Sequence, residues 1–339
     1  MNKKLRIEDV ASACGVSRAT VDRVLNGRGS VHPSTVARVQ AAIRDLGYSP
    51  SALAARRPGA AKRIGVLLSS GSSAFFAELR RTFEAVAAKD ENESCDFVFG
   101  DFDPYRPDSV VAALRAVDHD INSLIMVGVD APEVAAEIDA IAARGVRVVT
   151  AVSDVGNSMR EVFVGQDNFA AGRTAGRLMA DMIPQGPGVV VALIGHLQFR
   201  HLLDRQSGLT QTLALMRPDL TVYTTRPYCG DSEAAREVID DIIARTPKLR
   251  GAYLAGGVQP SIIDALCGVN EHRIVAIGHE VTDVSRSALV AGCLKAIIAH
   301  DLDEVARKAI SAARNGAEDS DAICGVNIFV QDNLPRRVC

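Results

Sequence analysis

Nine short apolar runs constrain this chain more than any other feature. They are "RIGVLLSS", "DFVFG", "SLIMVGV", "VRVVTAV", "GVVVALIG", "LTVYTT", "GAYLAG", "RIVAIG" and "LKAIIA". Most are separated by segments with helical spacing, such as 131–143, 168–182, 231–244 and 302–313. Continuous apolar runs of this length read as strands buried on both faces. Strand and helix in alternation predict parallel sheets covered by helices on both sides. So many strands within residues 64–339 fit two adjacent α/β lobes better than one sheet.

The first sixty residues do not share this pattern, and their charge differs. Residues 1–63 carry 12 Lys+Arg against 4 Asp+Glu, and the rest of the 339-residue chain carries 26 against 37. A basic end on an acidic body suggests a polyanion-binding module attached to something with another task. The seven cysteines (Cys14, Cys95, Cys229, Cys267, Cys293, Cys324, Cys339) are scattered and never form a CxxC pair. That spacing indicates neither a disulfide framework nor a zinc site. "MNKKLRIEDV" lacks an apolar signal core, and no run approaches the ~18 residues of a membrane span. The expected location is the reducing cytoplasm, with no membrane contact and no cofactor.

Within the basic end, residues 6–14 read as a short helix with Ile7, Val10 and Ala11 on one face. Gly15 suits a tight turn, and Ser17 can cap the next helix through its hydroxyl. In that second helix Val21, Val24 and Leu25 share one side, leaving Arg18, Thr20, Asp22 and Arg23 to face outward. A third helix runs from about Pro33 to Leu46, with Val36, Val39, Ile43 and Leu46 in register. Three helices with a glycine turn between the first two form a helix-turn-helix unit, whose second helix can enter the major groove.

"IEDVASACGVSRATVDRVLNGRGSVHPSTVARVQAAIRDLGYSP" closely resembles the DNA-binding head of the lactose-repressor/galactose-repressor family, and the resemblance continues more loosely to the C-terminus. It implies a head over residues 1–50, a hinge linker over 51–63, and a two-lobed effector-binding and dimerisation domain over 64–339. The lobes would be like those of a periplasmic sugar-binding protein, joined by three crossings. By position, Arg18, Ala19 and Arg23 meet base edges, where an arginine fork can donate two bonds to guanine. Ser17, Thr20 and Asn26 fall at phosphate-contacting positions. Asp22 departs from the usual serine. Leu53 falls where hinge helices pack together, and Arg57 replaces the family's wedge leucine. Arginine can enter a narrow minor groove but cannot unstack a base step as an apolar wedge does.

In open parallel sheets, ligands bind beyond the carboxyl ends of strands. Here those ends carry the polar stretches 69–73, Asp130, Ser153-Asp154, His196, Gly256-Gly257, His279-Glu280 and His300-Asp301. Each is suited equally to capping a helix or to binding a polyhydroxylated ligand. The resemblance narrows the choice. "SSAFFAEL", with Ser73, corresponds to an "NPFF" element, so Phe75 and Phe76 stack on the ligand, or Phe76 belongs to the core. Asp130 ends a strand where relatives place a ligand carboxylate, and Asp154, at another strand end, is a second candidate ligand group. "DRQSGL" puts Arg205 in the pocket. Asp167, in "VGQDNFAAG", is either a cap or a ligand group. Glu280 stands at a sugar-binding aspartate position and His300 at one often held by glutamine. Gly257 belongs to a Gly-Gly pair where relatives have Asn-Asp, which leaves the pocket larger or hydrated.

Together these features imply a regulator, in all expectation a repressor of a sugar or polyol operon, controlled by a small sugar-like effector. A homodimer would read a pseudo-palindromic operator in double-stranded DNA. A transport-type binding protein would need a signal peptide and no head. An enzyme would need a motif such as G-x-S-x-G, a Walker loop, HExxH or G-x-G-x-x-G, and none is present.

Overall fold

The computed structural model describes residues 7–25, 31–46, 62–69, 73–89, 95–118, 120–269, 274–316 and 321–335. Asn26, Leu53, Arg57 and the Asp22 side chain lie outside the described set.

The head contains α1 (Ile7–Cys14), α2 (Arg18–Leu25) and α3 (Pro33–Leu46). Gly15 takes φ 63° between the first two, a left-handed conformation that a Cβ would disfavour. The Ser17 hydroxyl accepts from the Thr20 backbone N–H at 3.1 Å, satisfying a donor that the start of α2 would otherwise leave open. One apolar residue from each helix, Val10, Val21 and Val39, is completely buried, and Ile7, Val24, Ile43 and Leu46 pack around them.

The body begins with β1 (Lys62–Ser69), α4 (Ala74–Ala88), β2 (Cys95–Phe102), α5 (Pro107–Arg115), β3 (Ser123–Val127), α6 (Pro132–Ala143), β4 (Arg147–Ala151) and β5 (Val162–Gln166). The chain then crosses to α7 (Asn168–Met182), β6 (Gly188–Leu193), α8 (Arg200–Met216), β7 (Leu220–Thr224), α9 (Ser232–Arg245), β8 (Leu249–Gly257), α10 (Pro260–Val269), β9 (Val275–His279), α11 (Asp283–Val290) and β10 (Ala296–Ala299). It returns as α12 (Leu302–Asn315) and β11 (Ala322–Cys324), and crosses again to β12 (Asn327–Phe329). The first sheet has the order β11-β5-β4-β3-β1-β2 and the second β12-β10-β9-β8-β6-β7. Every described pairing is parallel except β10 with β12. The two lobes are therefore joined at three places: 166–168, 300–301 and 324–327.

The apolar runs decide which residues are hidden. β3 and β9 are buried along their whole length, as strands covered on both faces must be. Ile64, Val66, Leu79, Phe83 and Val305 share the first lobe's core, so α12 belongs there although it follows the second lobe's last parallel strand. The second sheet has one apolar cluster on the face of α9 to α11 and another beneath α7 and α8. No described helix is long and apolar enough to cross a membrane.

The cysteine spacing predicts no disulfide, and the structure differs. Cys267 and Cys293 are bonded, with Cα atoms 5.4 Å apart. They are 26 residues apart in sequence, and meet because both belong to one face of the second sheet.

Helices α7 and α8 touch backbone to backbone, and two glycines permit it. A Cβ built on Gly172 would lie 1.9 Å from the Arg205 carbonyl oxygen, and one on Gly208 would lie 2.2 Å from that of Phe169. No side-chain adjustment relieves a clash with backbone, so Gly172→Ala must push the helices apart. It is expected to lower unfolding free energy by about 1–3 kcal/mol or more, as overpacking does. Urea denaturation measures this, and an unchanged midpoint would show that the helices tolerate separation.

Candidate functional site

The carboxyl ends of β1, β6, β8 and β9 converge where the lobes face each other. Between them lies a cleft with about 60 Å³ of free space. Ser73, Phe75 and Phe76 come from the start of α4 in the first lobe, and Gly257 and Glu280 from the strand ends of the second. Arg205 enters from the second turn of α8.

The Arg205 guanidinium is almost completely enclosed, at 1% exposure. Its Nε–H donates to Asn168 Oδ1 at 2.9 Å, Nη1 to the Ala255 carbonyl at 2.9 Å and Nη2 to Glu280 Oε1 at 3.3 Å. Guanidinium carries five N–H groups, so two remain for a ligand. Glu280 is fixed in turn: His300 donates to it from Nδ1 at 2.8 Å and from its backbone N–H at 3.2 Å. Glu280 holds φ 65°, a left-handed conformation rare without glycine. Two bonds hold it there: its N–H donates to the Ile298 carbonyl and its own carbonyl accepts from Ser285 Oγ at 2.7 Å. Val152, which lines the opposite wall, takes φ 66°. Strained residues on both sides of one cleft are typical of a binding site.

Aromatic rings form the remaining walls. Phe76 and Phe199 have centroids 5.9 Å apart, Phe199 and His201 5.3 Å, and Tyr105 and His196 5.3 Å. Tyr105 of the first lobe rests on Gly230 of the second, where a Cβ would lie 2.6 Å from the ring. Burial raises the phenols of Tyr105 and Tyr228, so both remain hydrogen-bond donors.

Of the residues named from sequence, Ser73, Phe75, Phe76, Arg205, Gly257 and Glu280 line the cleft. His300 stands behind Glu280 and against Phe75, with ring centroids 6.1 Å apart. The three aspartates do not line it. Asp130 gives its backbone N–H to the Gln198 carbonyl at 2.7 Å. Asp154 is held by Arg160, Thr150 and its neighbour's backbone N–H. Asp167 caps α7 by accepting from the Ala170 N–H at 2.9 Å. Sequence reasoning did not name Tyr105, Phe199, Tyr228 or Gln259 as lining residues. All lie in connections or at helix starts, where no periodicity marks them. In the head, Ser17, Arg18, Ala19 and Arg23 are exposed on α2 and its cap, while Thr20 is half-buried.

Burial holds His201 and His279 neutral, well below the usual imidazole range, and the Arg205 charge and His300 add to the effect. For Glu280, burial favours the protonated acid, but His300 and Arg205 outweigh it and keep the carboxyl below its ordinary range. Both effects act in the same direction. The unfolded chain protonates both histidines as pH falls below 6.5 while the folded chain resists, so stability declines there. The Glu280 contribution, present above 4.5, is lost below that value. Thermal melts should show Tm falling between about pH 7 and pH 5, with a shallower slope in His201→Asn. A Tm flat across that window would contradict neutral, buried imidazoles.

Residues 64–319 match the periplasmic binding protein domain family. Residues 6–51 match the lacI family of bacterial regulatory proteins. The chain is 30% identical over 185 residues to the sucrose operon repressor of Streptococcus mutans, which is 51% of this chain and 52% of that protein. It thus spans about half the length of that relative. To the HTH-type transcriptional repressor PurR of Pectobacterium atrosepticum it is 28% identical over 277 residues, covering 78% of this chain and 75% of the other. Among solved structures, an ABC transporter solute binding protein from Burkholderia graminis, in complex with D-arabinose, superposes with TM-score 0.74 at 17% identity, covering 82% of this chain and 98% of that one. GanP, a glucose-galactose binding protein from Geobacillus stearothermophilus, gives 0.72 at 18% identity, with 81% and 99% covered. At these identities the solved structures speak for the fold. The chain belongs, over residues 64–319, to the periplasmic binding protein domain family, and it carries ahead of that body a domain of the lacI family of bacterial regulatory proteins over residues 6–51.

Proposed function

We propose that this protein is a transcriptional repressor whose grip on operator DNA is set by a small sugar-like molecule held between its lobes. The observation that carries the reading is a single chain bearing both an exposed pair of arginines on a capped helix and a cleft of aromatic rings around a buried guanidinium. A helix with Arg18 and Arg23 outward suits the major groove, where each arginine can take two acceptors of a guanine. Aromatic rings suit the apolar face of a sugar ring, and the Tyr105 and Tyr228 hydroxyls, Ser73, Gln259 and the two spare Arg205 donors suit its oxygens. Asp154 is held by Arg160 and Asp167 caps α7 through Oδ1, so the reading does not rest on them. Gly256 and Gly257 leave space in which water or a larger substituent fits.

The coupling follows from where the site lies. A ligand touching α4 and α8 together binds the closed arrangement of lobes better than the open one. It shifts the equilibrium only by that difference in affinity. In a homodimer the change alters how the two first lobes, and so the two heads, face a pseudo-palindromic operator. The regulated genes would serve uptake or use of the same sugar or polyol.

Two outcomes check the halves separately. Arg18→Ala and Arg23→Ala should each cost about 1–3 kcal/mol of specific binding to the operator and relax sequence choice at one position. Fluorescence anisotropy on a promoter fragment reads this, and unchanged binding would remove the recognition-helix assignment. Gly257 is exposed and a Cβ there meets nothing within 4 Å, so Gly257→Phe should fold normally and fill the cleft. In a thermal-shift screen of sugars and polyols, the compound that stabilises the wild type should leave Gly257→Phe unshifted. An equal shift in both would place that ligand elsewhere.

A further inference from the structure

A second feature lies outside the cleft, where the chain first crosses between lobes. Gln166 is the last residue of β5 and is completely buried, and neither its Oε1 nor its Nε2 has a hydrogen-bond partner. A primary amide offers two donors and an acceptor, and proteins rarely bury both ends unmet. Its polar neighbours are already engaged. Asn168 donates to the Gln166 backbone carbonyl at 3.2 Å and accepts from Arg205 at 2.9 Å. Asp154 is occupied by Arg160, and Asp167 gives one carboxylate oxygen to the cap of α7.

Gln166 lines a recess of about 420 Å³, several times the free space of the cleft and within the ~300–1,000 Å³ usual for small-molecule sites. The recess has walls from both lobes: Phe163 and Asp154 from the first, Asp167 at the crossing, Arg200 and Asp204 from α8, with Ile323 at its exposed edge. Phe163 and Phe169 supply aromatic surface beside the unmet amide. His201 lines both the recess and the cleft, and its Nδ1 is also unpartnered.

We propose that this recess is a second ligand site, distinct from the cleft, that takes a small planar cyclic amide. The edge of such a ring presents one N–H and one C=O side by side. That pair matches the Gln166 carbonyl and amino groups, and the ring face suits the phenylalanines. The two polar atoms of the amide are closed off from solvent in this arrangement, so the occupant reaches them only as the recess wall shifts. The occupant would then touch both lobes and share the His201 wall with the cleft. Occupancy of one site is therefore coupled to the other, reciprocally. The proposal does not depend on what the cleft binds.

Uracil, a cyclic imide, is the probe. Equilibrium dialysis of labelled uracil against the full chain should show one saturable site per protein molecule. Gln166→Met keeps the side-chain length and removes the amide, and should weaken binding roughly tenfold or more, because a site built for hydrogen bonds rejects their loss. Ile323 is 50% exposed, so Ile323→Arg should fold unaltered, obstruct the edge and weaken binding by a similar factor. No saturable binding would overturn the proposal. So would binding that survives in both variants, which would locate uracil in the cleft or on the surface.

Discussion

Burying the Arg205 guanidinium is the constraint on which the rest of the body depends. A charge enclosed this far is tolerated only with a counter-charge and with its hydrogen bonds made. Each partner comes from a different element: Asn168 from α7, Ala255 from β8 and Glu280 from the end of β9. The contact therefore fixes α8, α7 and the second sheet relative to one another. Gly172 and Gly208 let the two helices close to backbone distance, which sets where Arg205 stands. Glu280 accepts a left-handed backbone to reach it, and His300, at a crossing between lobes, completes the set. A single charged group thus ties the second lobe's interior to one of the connections that join it to the first.

The same region leaves buried polar groups without partners. Among the described residues, Ser153, Gln166, His201 and His300 each bury a side-chain polar atom that has no hydrogen-bond partner. Atoms of this kind are costly when closed away from water.

Much of this was legible in the amino-acid sequence, for physical reasons that can be traced to particular elements. The nine apolar runs all became strands, because a parallel strand covered on both faces leaves an uninterrupted signal. Gly15, Ser17 and the spacing of Val10, Val21 and Val39 gave the head, because caps and small helical cores are local. Three strands went unread. β11 and β12 have three residues each, too few for any period, and β5 merges into the turn that opens the second lobe. The lining residues Arg205 and Glu280 were found by family position. Tyr105, Phe199 and Tyr228 were not, because they reach the cleft from loops and helix starts. Asp154 was readable as a strand-end carboxylate, and only the folded chain shows that Arg160 holds it; Asp167 was readable as a cap or a ligand group, and its Oδ1 accepts from the Ala170 N–H. The Cys267–Cys293 bond was hidden for the same reason: spacing along the chain does not report neighbours across a sheet face.

The head and the body share no sequence pattern, and their joint presence has meaning only if the state of one is felt by the other. The most direct test is linkage between the two sites. Operator affinity is measured by anisotropy with and without a saturating amount of the sugar or polyol that stabilises the folded chain, and the affinity for that compound is measured with and without operator. The account predicts the same factor from both measurements, of roughly five- to 150-fold. A factor of one would contradict it, leaving a DNA-binding head and a ligand-binding body that ignore each other.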